Sequence, residues 1–307
     1  MALPDDYLKY PKRAYGMDHD RYTWSILQKR PKVAWPNGAR IALWVVPALE
    51  FFPLDQPAQP FRAPGGMVTP YPDLRHYTLR DYGNRVGVFR VFKLLDALAI
   101  KASVAVNSKV AQRYPLLIDE IDARGWEVIA GGVDMGRLHY GGMDAAAEMA
   151  QVRESLSVLR EATGQAVTGW LSPAKSESEN TLDLVAAEGV DYVCDWINDD
   201  MPYEIETKYG TIHSMPHAHE IDDQTIMMGY HHSEAQFVDQ VRDQFDVLYG
   251  ETETEGGRIM AVTIHPWMSG QPHRIRALEA ALAHIMAHDG VWSATGAEIL
   301  AAFKGQG

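Results

Sequence analysis

Residues 169–203 read GWLSPAKSESENTLDLVAAEGVDYVCDWINDDMPY, and this stretch predicts two buried strands joined by a short helix. The first strand ends in the polar run SPAKSE at residues 172–177, and the second ends in a loop crowded with carboxylates at residues 195–200. Two strands linked through a helix run parallel, so their carboxyl ends open on the same mouth. Active sites of parallel α/β folds lie at that end of the strands, and the stretch therefore predicts an enzyme.

The same alternation of strands and helices continues on both sides of this stretch. Apolar runs of strand length predict strands at residues 40–46, 102–106, 126–130, 167–171, 191–194, 259–264 and 291–293. Helical spacing predicts helices at residues 86–98, 115–123, 144–163, 179–188, 233–249 and 273–287, and a last one from residue 296. Repeated strand–helix units predict right-handed crossovers and a mainly parallel sheet, and the lack of a linker favours one barrel over two domains.

The N-terminal part and one long loop interrupt this pattern. Residues 1–37 are polar, aromatic and punctuated by proline, which predicts an arm that wraps the barrel domain of residues 38–307 or a neighbouring subunit. Residues 53–84 hold many prolines and glycines with no clear period, and they predict a long loop. A loop of that length inside a compact domain is usually functional.

Composition and the lengths of the apolar runs exclude several kinds of partner and of chemistry. The net charge of -13 disfavours nucleic acids and anionic membrane surfaces, because both are bound through basic patches. No apolar run approaches the roughly 20 residues of a membrane span. Cys194 is the single cysteine, so neither an internal disulfide nor a CxxC metal motif exists. The N-terminus lacks a basic start followed by an apolar core, so the sequence predicts a cytoplasmic protein.

Several short motifs resemble the polysaccharide deacetylase (NodB-homology) superfamily. They fit best the branch that holds metal-independent allantoinases, cyclic imide hydrolases and peptidoglycan deacetylase-like proteins. In the family's order they are YGNRVG at 82–87, GWLSP at 169–173, YVCDW at 192–196 with NDD at 198–200, HP at 265–266 and GQPHR at 270–274. The resemblance implies a single-domain deformed (β/α) barrel, usually with seven parallel strands, and hydrolysis of non-peptide C–N bonds. Together with the N-terminal arm, it also implies a homo-oligomer, either a dimer or a tetramer.

The residues that hold a metal in the superfamily's deacetylases are replaced in this chain. Those enzymes bind a divalent metal through an aspartate and two histidines four positions apart, and the histidine positions fall on Gly131 and Met135. Glycine has no side chain, and a thioether is a poor zinc ligand in an oxygen-and-nitrogen site. Glu50 stands near the place of the aspartate, and Leu171 replaces an expected arginine. The sequence thus predicts a hydrolase that requires no cofactor, with zinc or another divalent metal as the alternative.

Three side chains that follow predicted strands are candidates for catalysis without a metal. Hydrolysis of an amide then needs a base for water, an acid for the leaving nitrogen and a donor for the oxyanion. Glu50 follows the first strand among apolar neighbours, where desolvation raises the pKa of a carboxyl group. His265 follows the strand at 259–264, and histidine is versatile near neutral pH. Either of them activates water while the other serves the leaving nitrogen, and either Lys175 or main-chain amides of the loop hold the oxyanion.

A second group of residues is predicted to bind the substrate. Its members lie near predicted strand ends and are Ser172, Asp199, Asp200, Trp196 and His139. Carboxylates only accept hydrogen bonds, which suits the N–H groups of a ureide or an imide. An aromatic side chain at a strand end suits a flat substrate. Because the long loop narrows the mouth, a small amide, imide or ureide is expected as the substrate rather than a polymer.

Two other functions stay open from the sequence. If residues 212–220 are extended, His217 and His219 lie on the same face, since they are two positions apart. With Glu50 or His265 as a third ligand they form a rebuilt metal site, and the protein is then a metal-dependent, deacetylase-type hydrolase. The other possibility is a non-catalytic protein that kept the barrel, binds a small molecule and performs no chemistry.

Overall fold

A curled, mostly parallel sheet forms the centre of the structure, a computed structural model that describes residues 19–57, 60–64 and 72–306. Within those ranges the nine strands are β1 (Ile41–Leu49), β2 (Ser103–Val106), β3 (Glu127–Ala130), β4 (Gly169–Trp170), β5 (Tyr192–Val193), β6 (Tyr203–Thr207), β7 (Gly210–Ser214), β8 (Arg258–Ile264) and β9 (Val291–Ser293). Eight of them run parallel, and seven of these follow the spatial order β8-β1-β2-β3-β4-β5-β7. Strand β6 pairs antiparallel with β7, and β9 lies beside the start of β1. This half-barrel confirms the predicted deformed (β/α) barrel.

Helices cover the outside of the sheet. They are α1 (Leu74–Tyr82), α2 (Val88–Ala97), α3 (Ser108–Arg113), α4 (Pro115–Asp122), α5 (Ala145–Thr163), α6 (Thr181–Ala187), α7 (Glu234–Glu255), α8 (Pro266–Ser269), α9 (Ile275–Met286) and α10 (Gly296–Lys304). In the part of the chain that the structure describes, two π-helical turns, Gly83–Gly87 and Thr225–Gly229, and three short 3₁₀ turns complete the helical segments. Within the described ranges, none of these helices combines the length and apolar character needed to span a bilayer.

The first strand is buried on both faces, as its continuous apolar run predicts. All nine of its residues are buried, and successive side chains alternate between two cores. Ile41, Leu43 and Val45 belong to the larger core, which includes residues of the surrounding helices. Trp44 and Val46 belong to a second core that includes residues of β3, β5 and β8. Burial on both faces holds the carboxyl end of β1, and therefore Glu50, in a fixed position.

The predicted long loop at residues 53–84 is wrong in its second half. Helix α1 occupies residues 74–82 of it, and Asp73 caps that helix by accepting a hydrogen bond from the main-chain N–H of His76. The buried residues of α1 are His76 and Arg80 rather than a row of apolar side chains. The helix therefore lacks the apolar period that identifies a helix in sequence. Residues 58–59 and 65–71 of the predicted loop lie outside the described residues.

The segment between the predicted strand at 191–194 and the helix at 233–249 contains a hairpin that the sequence analysis missed. Strands β6 and β7 pair through residues 203–214, with Ile205 opposite Ile212 as a buried cross-strand pair. A left-handed Gly210, with φ of 113°, follows the turn. The alternating pattern YEIET was the available signal for β6. This hairpin leads the chain towards the carboxyl end of β8.

The described part of the predicted arm, residues 19–37, lies on the chain's own barrel. The Arg21 guanidinium pairs with Asp183 of α6 at 2.7 Å. Trp35 is 2% exposed and donates its indole N–H to the main-chain oxygen of Arg258 at 2.9 Å. Residues 1–18 lie outside the described residues. The boundary at residue 37 and the predicted dimer or tetramer stay predictions.

One close contact between helices sets the position of the segment after β8. Gly87 ends a π-helical turn against α8, and a Cβ atom built on it lies 2.1 Å from the main-chain oxygen of Pro266. We expect Gly87→Ala to lower the free energy of unfolding by about 1–3 kcal/mol, because the added methyl group overpacks the contact. The displaced segment begins next to His265, so activity is expected to fall as well.

The control for this variant is Gly250→Ala. Gly250 lies within α7, and a Cβ atom built there meets nothing within 4 Å. Alanine favours helix more than glycine does, so this control is expected to be neutral or stabilising by about 0.5–1 kcal/mol. Denaturant unfolding curves of the two variants measure the difference. Equal stability of the two would contradict the proposed contact.

Candidate active site

A cavity of about 320 Å³ opens at the carboxyl ends of five parallel strands, β1, β2, β3, β4 and β8. Its apolar wall includes Ala48, Leu49, Ala105, Met135 and Leu171. The polar side chains around it are Glu50, Asn107, Ser172, Lys175, His217, His219, Asp222, Gln224, Thr225, Thr263 and His265. All three predicted catalytic residues therefore line one cavity.

Glu50 lies directly after β1 and has a largely buried carboxyl group. The Trp267 indole N–H donates to its Oε2 at 3.3 Å, and the Asn84 amide donates to its main-chain oxygen at 2.9 Å. Burial raises the pKa of Glu50, while the positive charges of His265 and Arg80 act in the opposite direction. A buried carboxylate beside a cation is a stronger base than a surface glutamate and can still ionise. This is the environment that a general base needs.

His265 lies directly after β8 in a pocket of carboxylates. Its main-chain N–H donates to both oxygens of Asp223 at 3.0 Å, and its Nδ1 lies 2.7 Å from Asp223 Oδ1. The Ser269 hydroxyl donates to the same carboxylate. On the other side of the ring, Nε2 lies 3.8 Å from Glu50 Oε1. Asp223 thus fixes the ring so that Nε2 faces Glu50.

The charge state of His265 follows from these neighbours. Burial by itself lowers the pKa of the imidazole, but the carboxylates of Asp222, Glu50 and Asp223 outweigh burial and raise the pKa to about 10. His265 is therefore an imidazolium at neutral pH, and its Nε2–H is a proton donor next to Glu50. The geometry favours Glu50 as the base and His265 as the acid, a distinction that the sequence left open.

Two aspartates of this site were missed in the sequence analysis. Asp222 lines the cavity, with Oδ1 3.6 Å from His265 Nδ1, and the main-chain N–H groups of Gln224 and Thr225 donate to it at 2.8 and 3.1 Å. Burial raises the pKa of Asp222. A single parallel bridge joins residue 222 to Thr263 of β8. The pair Asp222–Asp223 follows a hairpin rather than a predicted strand, so strand-end reasoning did not select it.

His217 and His219 both line the cavity, although they do not continue β7. His217 is buried, and its Nε2 lies 3.1 Å from the Thr263 hydroxyl. Its Nδ1 has no hydrogen-bond partner among the described residues. Burial and the nearby Lys175 lower the pKa of His217 well below its ordinary value, so this ring is neutral. A neutral imidazole with one free nitrogen can contact a substrate N–H or C=O group.

Lys175 lies in the 3₁₀ turn after β4, with its ammonium group at the cavity. It donates to the main-chain oxygen of Ala218 at 3.1 Å and lies 3.3 Å from His219 Nδ1. Burial lowers the pKa of Lys175, and the Asp222 carboxylate opposes that effect. Ala174 and Lys175 both have positive φ, of 60° and 53°, a conformation that is costly for residues other than glycine. Such strain is often found at functional sites.

Ser172 also lines the cavity, with a second buried network behind it. Its main-chain N–H donates to Asp195 Oδ1 at 2.8 Å, and its hydroxyl accepts from the Trp170 indole at 2.8 Å. Burial raises the pKa of Asp195 to about 6 and that of Glu177 to about 8, where the neighbouring Asp195 charge adds to the effect. Asp195 therefore supports the turn that carries Lys175 and does not itself line the cavity.

The carboxylates predicted to bind substrate lie elsewhere. Asp199 pairs with the Arg30 guanidinium at 2.6 Å and holds the N-terminal segment on the barrel. Asp200 is exposed, and neither residue lines the cavity. The chain after β5 turns towards residues 19–37 rather than towards the cavity. The predicted place of Asp199 and Asp200 at the substrate site is therefore wrong.

Trp196 and His139 also lie away from the cavity, so their predicted place at the substrate site is wrong as well. The Trp196 indole donates to Glu177 Oε2 at 2.8 Å, and its ring packs against Tyr22. His139 is 1% exposed, and its Nδ1 lies 2.9 Å from Glu148 Oε1 of α5. A buried histidine–glutamate pair satisfies two polar groups of the core. Neither ring lines the cavity.

The positions that bind a metal in related deacetylases do not fit an ion here. Gly131 contributes only main chain to the cavity wall, and a Cβ atom built on it lies 3.0 Å from the carbonyl group of Val106. The Met135 thioether is buried in an apolar cluster with Phe52 and Leu138. A glycine and a thioether do not supply the ligands of a zinc hydrolase.

Other side chains come close enough together to bind an ion. Among the described residues, two groups of three bring ligand atoms within 4.8 Å of one another: Asp222, Asp223 and His265, and Asp246, His284 and His288. Neither group contains the predicted ligands His217 and His219. In the cavity group, the proton on His265 competes with any metal for the imidazole.

Comparisons with known proteins agree with this architecture. The polysaccharide deacetylase family model matches residues 72–193. A polysaccharide deacetylase-like protein of Schizosaccharomyces pombe is 25% identical over 300 residues, which cover 88% of this chain and 92% of that protein.

Solved structures extend the likeness to nearly the whole barrel. The crystal structure of a polysaccharide deacetylase-like protein from Pseudomonas aeruginosa PAO1 matches with a TM-score of 0.80 at 28% identity, covering 90% of this chain and 95% of that chain. The crystal structure of PuuE allantoinase matches with a TM-score of 0.81 at 27% identity, covering 90% and 94%. These likenesses confirm the resemblance that the sequence motifs indicated and indicate a hydrolase of C–N bonds.

Proposed function

We propose that this polysaccharide deacetylase-like chain hydrolyses a C–N bond in a small amide, imide or ureide without the metal ion of the superfamily's deacetylases. The observation that supports it most is the pair of Glu50 and His265, whose side chains lie 3.8 Å apart at the end of a small cavity. One is a desolvated carboxylate and the other an imidazolium with a raised pKa. A group that accepts a proton beside a group that donates one is the usual arrangement for acid–base hydrolysis.

In the proposed reaction, Glu50 removes a proton from a water molecule while the water oxygen attacks the carbonyl carbon of the substrate. The carbonyl oxygen becomes an oxyanion, which the Lys175 ammonium group stabilises. When the C–N bond breaks, the Nε2–H of His265 gives its proton to the leaving nitrogen. The proton on Glu50 then returns to His265 through bulk water or directly. The products are a carboxylic acid and an amine, or one ring-opened molecule if the substrate is cyclic.

The size and lining of the cavity favour a small, mostly uncharged substrate. A volume of about 320 Å³ lies at the lower end of small-molecule sites, and much of the wall is apolar. The carboxylates of Glu50 and Asp222 and the ammonium group of Lys175 all line the cavity, which suits a molecule with both N–H and C=O groups. The likeness to PuuE allantoinase supports a ureide in particular.

A metal-dependent deacetylase-type hydrolase is the second candidate. The observation in its favour is the convergence of Asp222, Asp223 and His265, which offers oxygen and nitrogen ligands in the cavity. His217 lines the same cavity but is not part of this group, so a rebuilt centre here uses His265, the alternative third ligand, rather than His217 or His219. The third candidate is a non-catalytic protein that binds a small molecule. Tight binding of a small molecule that the protein does not hydrolyse would identify it.

A substrate panel tests the proposal. The purified protein is incubated with cyclic ureides, cyclic imides, linear amides and N-acetylated oligosaccharides, and ring opening, amine release and acetate release are measured. We expect turnover of at least one ureide or imide and no acetate release from the oligosaccharides. Acetate release from the oligosaccharides alone would refute the proposed substrate class.

The pH dependence of turnover tests the assignment of acid and base. Glu50 must be ionised, and its raised pKa places the acid limb of kcat/KM above the ordinary glutamate range. His265 must be protonated, and its folded pKa of about 10 keeps the alkaline limb near pH 10. The charge of His265 also stabilises the fold. This stabilisation is fully present below about pH 6.5, the unfolded pKa, and it is lost as pH rises through the folded pKa of about 10.

The control for the alkaline limb is Lys175→Met. If the limb reports His265, it stays near pH 10 in this variant while kcat falls. An alkaline limb that disappears with the lysine would assign the limb to Lys175 and contradict the role of His265 as the acid.

A further inference from the structure

We propose a second site, outside the cavity, that binds a transition-metal ion such as zinc. It is formed by Asp246 of α7, His284 in the last turn of α9, and His288 just after that helix. One ligand atom from each residue lies within 4.8 Å of the other two. Two imidazoles and a carboxylate are a common zinc ligand set, with water completing the coordination.

A hydrogen bond of His288 determines which of its ring nitrogens can bind a metal. His288 Nδ1 lies 2.9 Å from the main-chain oxygen of His284, and a carbonyl only accepts, so this nitrogen is the protonated one. Nε2 of His288 therefore carries the lone pair. A carbonyl that orients a histidine ligand through its other nitrogen is a regular feature of metal sites.

The Asp246 carboxylate lies next to the imidazole of His284. His284 Nε2 lies 2.7 Å from Asp246 Oδ1, which in the metal-free protein is a hydrogen bond from the imidazole to the carboxylate. When zinc binds Nε2, the proton on that nitrogen is released and Nδ1 takes up a proton, so that the ring stays neutral, and the two ligand atoms move apart slightly to take tetrahedral positions. Asp246 is 54% exposed and His284 19% exposed at the side chain, so an ion can enter from solvent.

Aromatic packing holds the rings in place before an ion binds. The Phe245 ring lies 5.7 Å from His284 and 4.8 Å from His288, measured between centroids. Tyr249 lies 5.2 Å from His288 on the next turn of α7. Rings that are already positioned lose little freedom on binding a metal, so the ordering cost of the site is low.

The site lies at the opposite end of the barrel from the cavity. Tyr249 packs against the Arg40 guanidinium at 3.7 Å, and Arg40 precedes β1, whereas Glu50 follows β1. A nine-residue strand spans roughly 30 Å. An ion bound here joins α7 to the end of α9 and plays no part in the chemistry. The inference therefore does not depend on the proposed function.

Zinc titration of untagged, chelator-treated full-length protein tests the site, with zinc chloride as the only probe. We compare the wild type with Asp246→Asn and His288→Gln, which keep the side-chain size. His273→Gln is the matched control, because His273 is a 63% exposed histidine outside the group. Calorimetry gives stoichiometry and affinity, and thermal unfolding gives the rise in Tm that binding to the folded state produces.

We expect one zinc per wild-type chain with a higher Tm, and affinity at least about tenfold weaker in both Asp246→Asn and His288→Gln. The His273→Gln control is expected to bind like the wild type. Circular dichroism establishes that each variant is folded. No binding by the wild type would overturn the proposal, and so would wild-type affinity in both site variants.

Discussion

Replacing Glu50 with glutamine is expected to lower kcat by about 10²–10⁴-fold on whichever amide, imide or ureide the wild type hydrolyses. Glutamine keeps the size of the side chain and can still accept the 3.3 Å hydrogen bond from the Trp267 indole. It has no basic oxygen, so it cannot take the proton of the attacking water. KM is expected to change little, because the carboxylate acts on water rather than on the bound substrate.

The control for this variant is Glu220→Gln. Glu220 is exposed, and its Oε2 accepts a hydrogen bond from the Tyr230 hydroxyl at 2.7 Å, so it is an acid near the cavity with no place in the proposed chemistry. Thermal unfolding of both variants separates loss of catalysis from loss of fold. A folded Glu50→Gln variant with near wild-type kcat would rule out Glu50 as the base.

His265→Gln is expected to lower kcat by a comparable factor of about 10²–10⁴ on substrates with a poor leaving nitrogen. The reason is that the Nε2–H of His265 gives the leaving nitrogen its proton as the C–N bond breaks. A leaving group of low basicity needs no such proton. Activated substrates, such as anilides with electron-withdrawing groups, are therefore expected to recover much of the lost rate in this variant.

This dependence on the leaving group distinguishes an acid from a structural residue. A misplaced main chain after β8 would slow all substrates by similar factors. The pH profile adds a second readout, because the alkaline limb near pH 10 is expected to vanish with the imidazole. Equal losses on activated and unactivated substrates, with the alkaline limb unchanged, would contradict the role given to His265.

Glu50 and His265, the pair proposed for catalysis, could be placed at one cavity from the sequence because both residues directly follow strongly apolar strands. Glu50 comes after β1 and His265 after β8, and neighbouring parallel strands bring their carboxyl ends together. Lys175 was found in the same way after β4. In each case the fold dictates the position of the side chain, so a pattern of apolar runs was sufficient.

The residues that the sequence analysis missed or misplaced depend on loops and on polar contacts. Asp223 orients His265 but follows a hairpin whose end cannot be located from strand periodicity. Asp199 follows β5 as predicted, yet the chain turns outward there and the carboxylate pairs with Arg30. Such positions are set by tertiary contacts that no local pattern encodes.

Helix α1 illustrates a third limit. Its buried face carries His76 and Arg80, and Arg80 lies 3.4 Å over the Trp267 ring. A polar residue buried by a specific partner gives no apolar signal in the sequence. The helix nonetheless bears on the site, because Arg80 is one of the positive charges that favour the ionised form of Glu50.

Turnover by metal-free protein tests the central claim most directly. Because the outer group of Asp246, His284 and His288 is itself expected to bind zinc, metal content alone does not identify a catalytic ion. The measurement is therefore made on Asp246→Asn protein stripped with a chelator and found free of transition metals by elemental analysis. Hydrolysis of a ureide or imide at the wild-type rate is the predicted result. Turnover that is absent until zinc is restored would contradict the metal-free mechanism and assign the ion to the cavity.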